Sequence, residues 1–530
     1  MPFFIFLLLF FTQCAKGNNY QNLEKKTYLN IQAKIYRSLD GKNNNLTNTD
    51  WGKSGSTLQR LSKNSQCSNT IRTTPSPREI SNVVFHSKAS KKSKTLTTFI
   101  PYWGQFIDHD ISHSLKNKQD SHPIIINNQA DLLFPLIPFS RSEYIINNNN
   151  CRQQINNNSS FIDGSMIYGN DKTRNATLKD GAKLFTSKYD LLDFNHQRLE
   201  NDNPLRLNPE ELFLAGDVRV NENSMLLSLH TIFTREHNFQ VDRIKNQSLY
   251  LSEEELYQKA RNIVISIIQK ITFEEYIPAL LNSKNILSNL AYNQNINPTI
   301  FNEFSTLIFR MGHSQIPNKL LTTNYKNPSI DYYLNLKNNF FNPSIIYKNP
   351  AIIENLLLGA SLQPMEDTDS NVVDDLRNNL FVNNHPSNPI KGLDLTALNI
   401  KRGRDHNIPN YNKLRIDLGL KAKSSFEDLS SNLDIVNSLK SVYSNIDQVD
   451  SFVGMLVEDK FKNSNIGETI HQGILLQFKN LAAGDRFFYQ WNKTLSSEDK
   501  KYLQNQTLSK VIKRNTYIPK LKDNVFLLNN

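Results

Sequence analysis

Apolar residues along the chain recur mostly at three- and four-residue spacing, the period of a helix buried on one face. Leu226, Leu229, His230 and Phe233 mark such a face between Asn223 and His237, and Phe301, Phe304, Ile308 and Met311 mark another just ahead of His313. Ser252-Glu253-Glu254-Glu255 is a capping box, in which the Ser hydroxyl and the Glu carboxylate three residues on satisfy backbone N–H groups that the first turn leaves open. It opens a long helix through Leu256, Ala260, Val264, Ile267 and Ile268, which Pro278 is expected to end. Strand-like alternation is scarce, and no internal repeat or Pro/Gly/Ser linker divides the chain. The pattern predicts a mainly α fold: a single large helical domain with little β structure. The short tracts Asn147–Asn150 and Asn156–Asn158 read as loop insertions.

One stretch departs from this amphipathic pattern. Phe3 to Phe11 is unbroken apolar sequence, followed by the small and polar Thr12-Gln13-Cys14-Ala15-Lys16-Gly17. It is too short to span a bilayer and has the dimensions of a signal-peptide core, although only the α-amino group supplies positive charge ahead of it. Residues 1–17 are therefore expected to be a signal peptide, 18–75 an N-terminal extension and 76–525 the catalytic domain of a secreted protein. No later run approaches the roughly 20 apolar residues of a membrane helix, so no membrane span is expected. Seven Asn-X-Ser/Thr sequons, at Asn45, Asn157, Asn158, Asn175, Asn246, Asn492 and Asn505, suit a secreted glycoprotein, though an Asn-rich chain produces many by chance. Cys14 lies in or beside the leader, which leaves Cys67 and Cys151 either as one disulfide or as two free thiols. The net charge of +11 is spread along the whole length. Its densest run, Lys88 to Lys94, has no interleaved aromatics, so a solvated basic surface explains it better than a nucleic-acid partner.

Five stretches carry candidate chemistry. In Trp103-Gly104-Gln105-Phe106-Ile107-Asp108-His109-Asp110, a helix puts Gln105, Asp108 and His109 on one face and turns Asp110 away by about 100°. One helix could thus serve two sites back to back. A surface acidic helix is the plainer alternative, but Trp103, Phe106 and Ile107 argue for burial; zinc held by His109 and His113 would need a third ligand that does not follow. Ser159-Ser160-Phe161-Ile162-Asp163-Gly164-Ser165 offers hard oxygen donors suited to Ca²⁺, and taken alone is equally ordinary turn chemistry. Gly216-Asp217-Val218-Arg219-Val220-Asn221-Glu222 places an Arg and a Glu three residues apart, a spacing that more often marks an ion pair. Arg310-Met311-Gly312-His313 ends a helical pattern on a lone histidine, and Asn399-Ile400-Lys401-Arg402-Gly403-Arg404-Asp405-His406 is dense in polar groups.

In this order and with these spellings, the five stretches resemble the animal haem peroxidase (peroxidase–cyclooxygenase) family, most closely its peroxinectin-like branch. The resemblance runs from about Tyr36 to Tyr489, and its Trp-Gly-Gln-X-X-Asp-His-Asp spelling is highly specific. It implies a haem b whose iron is held by His313, with Asn399 accepting the His313 Nδ1 proton and Arg402 meeting a haem propionate. It implies His109 as general base toward hydrogen peroxide, Arg219 as the group that stabilises charge on the parting oxygens, and Gln105 as an orienting residue for water and halide. Asp108 and Glu222 match positions that form ester bonds to haem methyl groups. A Met that forms a further link in some relatives is here Asn223, which makes chloride oxidation doubtful and points to phenols, bromide, iodide or thiocyanate as donors. Asp110, Ser159, Phe161 through its carbonyl, Asp163 and Ser165 match the family's Ca²⁺ site. Lys42 stands where the family usually has a Cys, so the disulfide framework is reduced. Two rivals share the resemblance: an adhesive protein with a cell-surface or matrix partner on a peroxidase scaffold, and a fatty-acid dioxygenase.

Overall fold

The computed structural model describes residues 36–62, 69–86, 91–147, 149–247, 250–284, 286–383 and 389–529. Residues 1–17, expected to be a signal peptide, and Cys67 lie outside them; Cys151 is disulfide-bonded.

The helices that position the site are α1 (Phe99–Ile111), α2 (Ser224–Gln247), α3 (Glu253–Ile271), α4 (Ile352–Leu362), α5 (Leu395–Asp405) and α6 (Glu468–Ala483). α1 lies at the centre. Its Phe99, Ile100, Trp103, Phe106 and Ile107 are fully buried, and it packs on α2 and on the turn that carries His313. α2 packs in turn on α3 and α4. These faces merge into one large apolar core, with a small satellite of Ile124, Ile126, Leu133, Ile137 and Ala397 under a nearby ribbon.

Strands are short, as expected. Ser56–Thr57, Arg152–Asn156 and Tyr144–Ile146 form a three-stranded antiparallel sheet, and the other named strands pair in twos. Such ribbons have little stability of their own and take it from the helices beneath them. The chain from residue 36 is tied to the far end of the domain, where Asp485 accepts from Arg37 Nη2 (2.5 Å) and Asn44 Nδ2 (2.8 Å). Among the described residues no helix is long and apolar enough to cross a membrane.

Two expectations need correction. The capping box of α3 forms, but Pro278 does not end the helical run. A π-turn over Thr272–Tyr276 leads into a short helix, Ile277–Leu281, with Pro278 in its first turn, where the missing N–H costs little. The run stops at Asn282, which adopts the left-handed conformation (φ 48°). The segment before His313 is also not one helix. Asn302–Thr306 is α-helical, Leu307 breaks it (φ −129°, ψ −60°), and a 3₁₀ run follows over Ile308–Ser314. Leu307 packs against Gly403 of α5, a position where even a Cβ would stand 3.0 Å from it, so the break seats this segment on α5.

Candidate active site

The last turns of α1 present the predicted face. Asp108 accepts from Ser112 Oγ (2.8 Å), and His109 is buried. The two imidazole nitrogens meet different surroundings. Nε2 lies 3.8 Å from Glu222 Oε2, while Nδ1 lies 3.5 Å from Asp217 Oδ1 and makes no hydrogen bond. Burial, reinforced by Arg219, keeps His109 neutral well below its usual range. Burial likewise raises the Asp108 carboxyl and pushes Glu222 up to about 7.

Arg219 arrives on a turn. Its Nη2 donates to Ser112 O (2.9 Å) at the end of α1, and its Nη1 lies 3.7 Å from Asp108 Oδ2. Burial disfavours both charges of the Asp217–Arg219 pair, yet their mutual attraction prevails, so the carboxyl is held far below and the guanidinium above the ordinary range. Asn223 Nδ2 donates to Gln105 Oε1 (3.0 Å) and so fixes the Gln105 amide.

Asp110 points away from this pocket, into the 159–165 loop. Ser165 Oγ donates to Asp110 Oδ1 (2.9 Å) and Gly164 N to its Oδ2 (3.1 Å), and Ser159 Oγ donates to Asp163 Oδ2 (2.7 Å). Phe161 lies between them in the same buried loop. Burial and the neighbouring Asp163 charge push Asp110 up to about 8; burial pushes Asp163 to about 6, against the pull of Arg37 and Arg261. Two enclosed carboxylates flanked by hydroxyls form a donor set that suits a hard divalent cation. The five expected ligand residues are thus gathered in one place. Among the described residues no group of three or more His, Cys, Asp or Glu could hold a metal, so zinc at His109 and His113 lacks its third ligand.

His313 sits near the end of the 3₁₀ run, which packs against α1. Three residues per turn stack it over Arg310, and both reach Asn399 on α5. Asn399 Nδ2 donates to His313 Nδ1 (2.8 Å), and Arg310 Nη1 donates to Asn399 Oδ1 (3.2 Å). The amide thus faces His313 with its nitrogen, the reverse of the acceptor role expected of it, because Arg310 claims the oxygen. Burial, then Arg310, lower His313 to about 3, so it is neutral, and with Nδ1 accepting from Asn399 its ring proton sits on Nε2 in this arrangement. One turn along α5, Arg402 Nη1 donates to Ser140 O (2.9 Å) and Ser142 Oγ (3.0 Å). Burial lowers it to about 10, against the pull of Asp405, with Arg310 adding a smaller lowering. Two enclosed guanidiniums that disfavour each other fit a ligand that brings carboxylates, as haem does.

Arg310 and Asp217 were not singled out from the sequence. Arg310 becomes visible only once the segment is known to be 3₁₀ rather than α, and Asp217 looks like half of a local Asp-X-Arg pair until His109 is placed beside it.

The animal haem peroxidase family model matches residues 36–526. Peroxinectin A of Dictyostelium discoideum is 32% identical over 529 residues, covering 93% of this chain and 95% of that protein. The structure of peroxidase A from the same organism superposes with a TM-score of 0.84 at 31% identity, covering 93% of this chain and 99% of that one. A fatty acid alpha-dioxygenase from Oryza sativa shares the fold, with a TM-score of 0.79, 22% identity and coverage of 93% and 87%. The chain belongs to the animal haem peroxidase family and is a haem peroxidase.

Proposed function

We propose that the protein is a secreted peroxidase that reduces hydrogen peroxide and oxidises small donors, with His313 as proximal ligand and His109 and Arg219 as the distal pair. The observation that carries this reading is a pair of neutral imidazoles, buried His109 beside the half-buried Arg219 and half-buried His313 tied to the Asn399 amide. A haem bound there supplies the iron that takes up peroxide and the electron store that donors refill.

The chain's own residues do the rest. His109 Nε2 accepts a proton from peroxide and returns it to the departing oxygen, a task that requires the neutral base described above. Arg219, its charge assured by Asp217, stabilises the negative charge that develops as the O–O bond breaks. Gln105, fixed by Asn223, orients water or a small anion. Asp108 and Glu222 are the carboxylates for ester bonds to haem methyl groups, and Arg402 and Arg310 receive the propionates. Were Arg310 to exchange Asn399 Oδ1 for a propionate and the amide to flip, Asn399 Oδ1 would accept from His313 Nδ1–H and the Nε2 lone pair would be left to hold the iron. Asp110, Ser159, the Phe161 carbonyl, Asp163 and Ser165 hold Ca²⁺ directly behind His109. Phenols, bromide, iodide or thiocyanate are the donors, and chloride is not, because position 223 lacks Met.

An absorption spectrum of the secreted protein, followed by peroxide titration with guaiacol and with bromide, tests this. A haem band and peroxide-dependent turnover of either donor are expected. Correctly folded protein that refuses haemin, or that binds haem and oxygenates fatty acids without peroxide turnover, would overturn the reading. Acid-acetone extraction of the same sample tests the ester bonds, since linked haem stays with the protein.

A further inference from the structure

We propose that Asp217 is a positioning residue for both members of the distal pair: its single carboxylate selects the His109 tautomer that can accept a proton at Nε2, and holds the Arg219 guanidinium beside it. The inference rests on the peroxidase reading above.

A neutral imidazole carries one ring proton. His109 Nδ1 is buried without a hydrogen bond, 3.5 Å from Asp217 Oδ1. With the proton on Nδ1, an N–H faces the carboxylate. With the proton on Nε2, the Nδ1 lone pair would face the Asp217 oxygen instead, a repulsion that the Arg219 guanidinium paired to the same carboxylate lessens but does not turn into an attraction. The carboxylate therefore favours Nδ1–H and leaves the Nε2 lone pair free to act as the base.

The same group anchors Arg219 at three points. Oδ1 accepts from Arg219 N (2.8 Å) and Nε (2.9 Å), and Oδ2 accepts from Nη2 (2.8 Å). Asp217 is itself fixed from behind. Its N–H donates to Met166 O (3.0 Å), and Asn158, which donates to His109 O (2.7 Å), approaches Oδ2 at 3.5 Å. The preceding residue must be glycine for this approach, because a Cβ on Gly216 would stand 2.2 Å from Ser165 O. Asp217 also lines a cavity of about 360 Å³ with His113, Asn158 and Arg174, which gives a small carboxylate room to reach position 217.

The test uses full-length, haem-loaded protein. Wild type must first show a haem band and peroxide turnover; failure there overturns the peroxidase reading, and this proposal with it. In Asp217→Ala the peroxide step in stopped flow should slow by at least about thirtyfold, while donor oxidation by pre-oxidised enzyme stays within about twofold. Cyanide must also surrender a proton before it binds, so its association should slow in parallel. Formate at tens of millimolar should recover roughly fivefold in the variant and leave wild type unchanged, a rescue that a purely structural role would not give. Wild-type peroxide and cyanide rates in the variant overturn the proposal, as does slowing without formate rescue. If the alanine variant does not load haem, Asp217→Asn decides. This isostere keeps an acceptor for Arg219 but not the charge, so slow peroxide reaction with haem in place supports the role, and wild-type rates or failure to load haem overturn it.

Discussion

Arg219 touches the end of α1, Asp217 and the neighbourhood of Asp108 at once, so its guanidinium is held before any substrate arrives. Preorganised charge of this kind contributes most where water is excluded, because nothing has to reorient as the reaction proceeds. Arg219→Leu should slow the peroxide step by on the order of a hundredfold or more, with haem content unchanged, as measured by stopped-flow absorbance. Arg219→Lys should recover little of this, since an ammonium cannot reproduce the fork that spans Ser112 O and both Asp217 oxygens. At this scale the sequence was legible for residues whose spelling is specific, and silent on Asp217, whose importance comes from His109, distant in sequence.

At the scale of elements, α1 sends neighbouring residues to two different places because consecutive residues point about 100° apart. His109 faces the pocket and Asp110 faces the 159–165 loop, so whatever fixes Asp110 fixes the helix end that carries His109. With Ca²⁺ in the proposed 159–165 site, EDTA should therefore lower turnover severalfold and lower the melting temperature, and added Ca²⁺ should restore both. Full activity in protein shown to be metal-free by elemental analysis would refute the coupling. The π-turn after α3 gives a second expectation, independent of the haem. Glu275 is buried there, with Oε1 accepting from Leu508 N (3.1 Å) and Oε2 unpartnered, and burial pushes its carboxyl from 4.5 up to about 8. Its folded pKa lies above the unfolded value, so the protonated form's contribution to stability is complete below about 4.5 and is lost as pH rises through about 8. Glu275→Gln, which keeps the acceptor and cannot ionise, should be near neutral at pH 5. At pH 9 it should stabilise by on the order of 2 kcal/mol, read from denaturant melts at both pH values.

Over the whole molecule, burial sorts the sequons. Asn45, Asn158, Asn175 and Asn492 are buried, and each spends its side-chain N–H on an internal partner: Gln294 O, His109 O, Tyr168 O and Asn262 Oδ1 respectively. A glycan on any of them would have to break that bond and open the core. Asn246 and Asn505 are exposed. Expressed through a eukaryotic secretory pathway, the protein should carry glycans at Asn246 and Asn505 and none at the four buried positions, as peptide mass spectrometry after enzymatic deglycosylation in heavy water would show. A glycan found on Asn158 would contradict the packing described around His109.

The sequence by itself determined the helical class, the α3 cap, the divergent directions of His109 and Asp110 on α1 and the family, because these depend on local periodicity and on short, specific spellings that the chain carries wherever it folds. It could not determine the break at Leu307, the passage through Pro278 or the partners of Asn399. Those are settled where segments far apart in sequence meet: Leu307 against Gly403, the π-turn against the chain at Leu508, and Arg310 stacked on His313 against α5. A backbone choice costing about a kilocalorie is overruled by such packing, and a residue's charge or proton depends on neighbours that only the tertiary structure supplies.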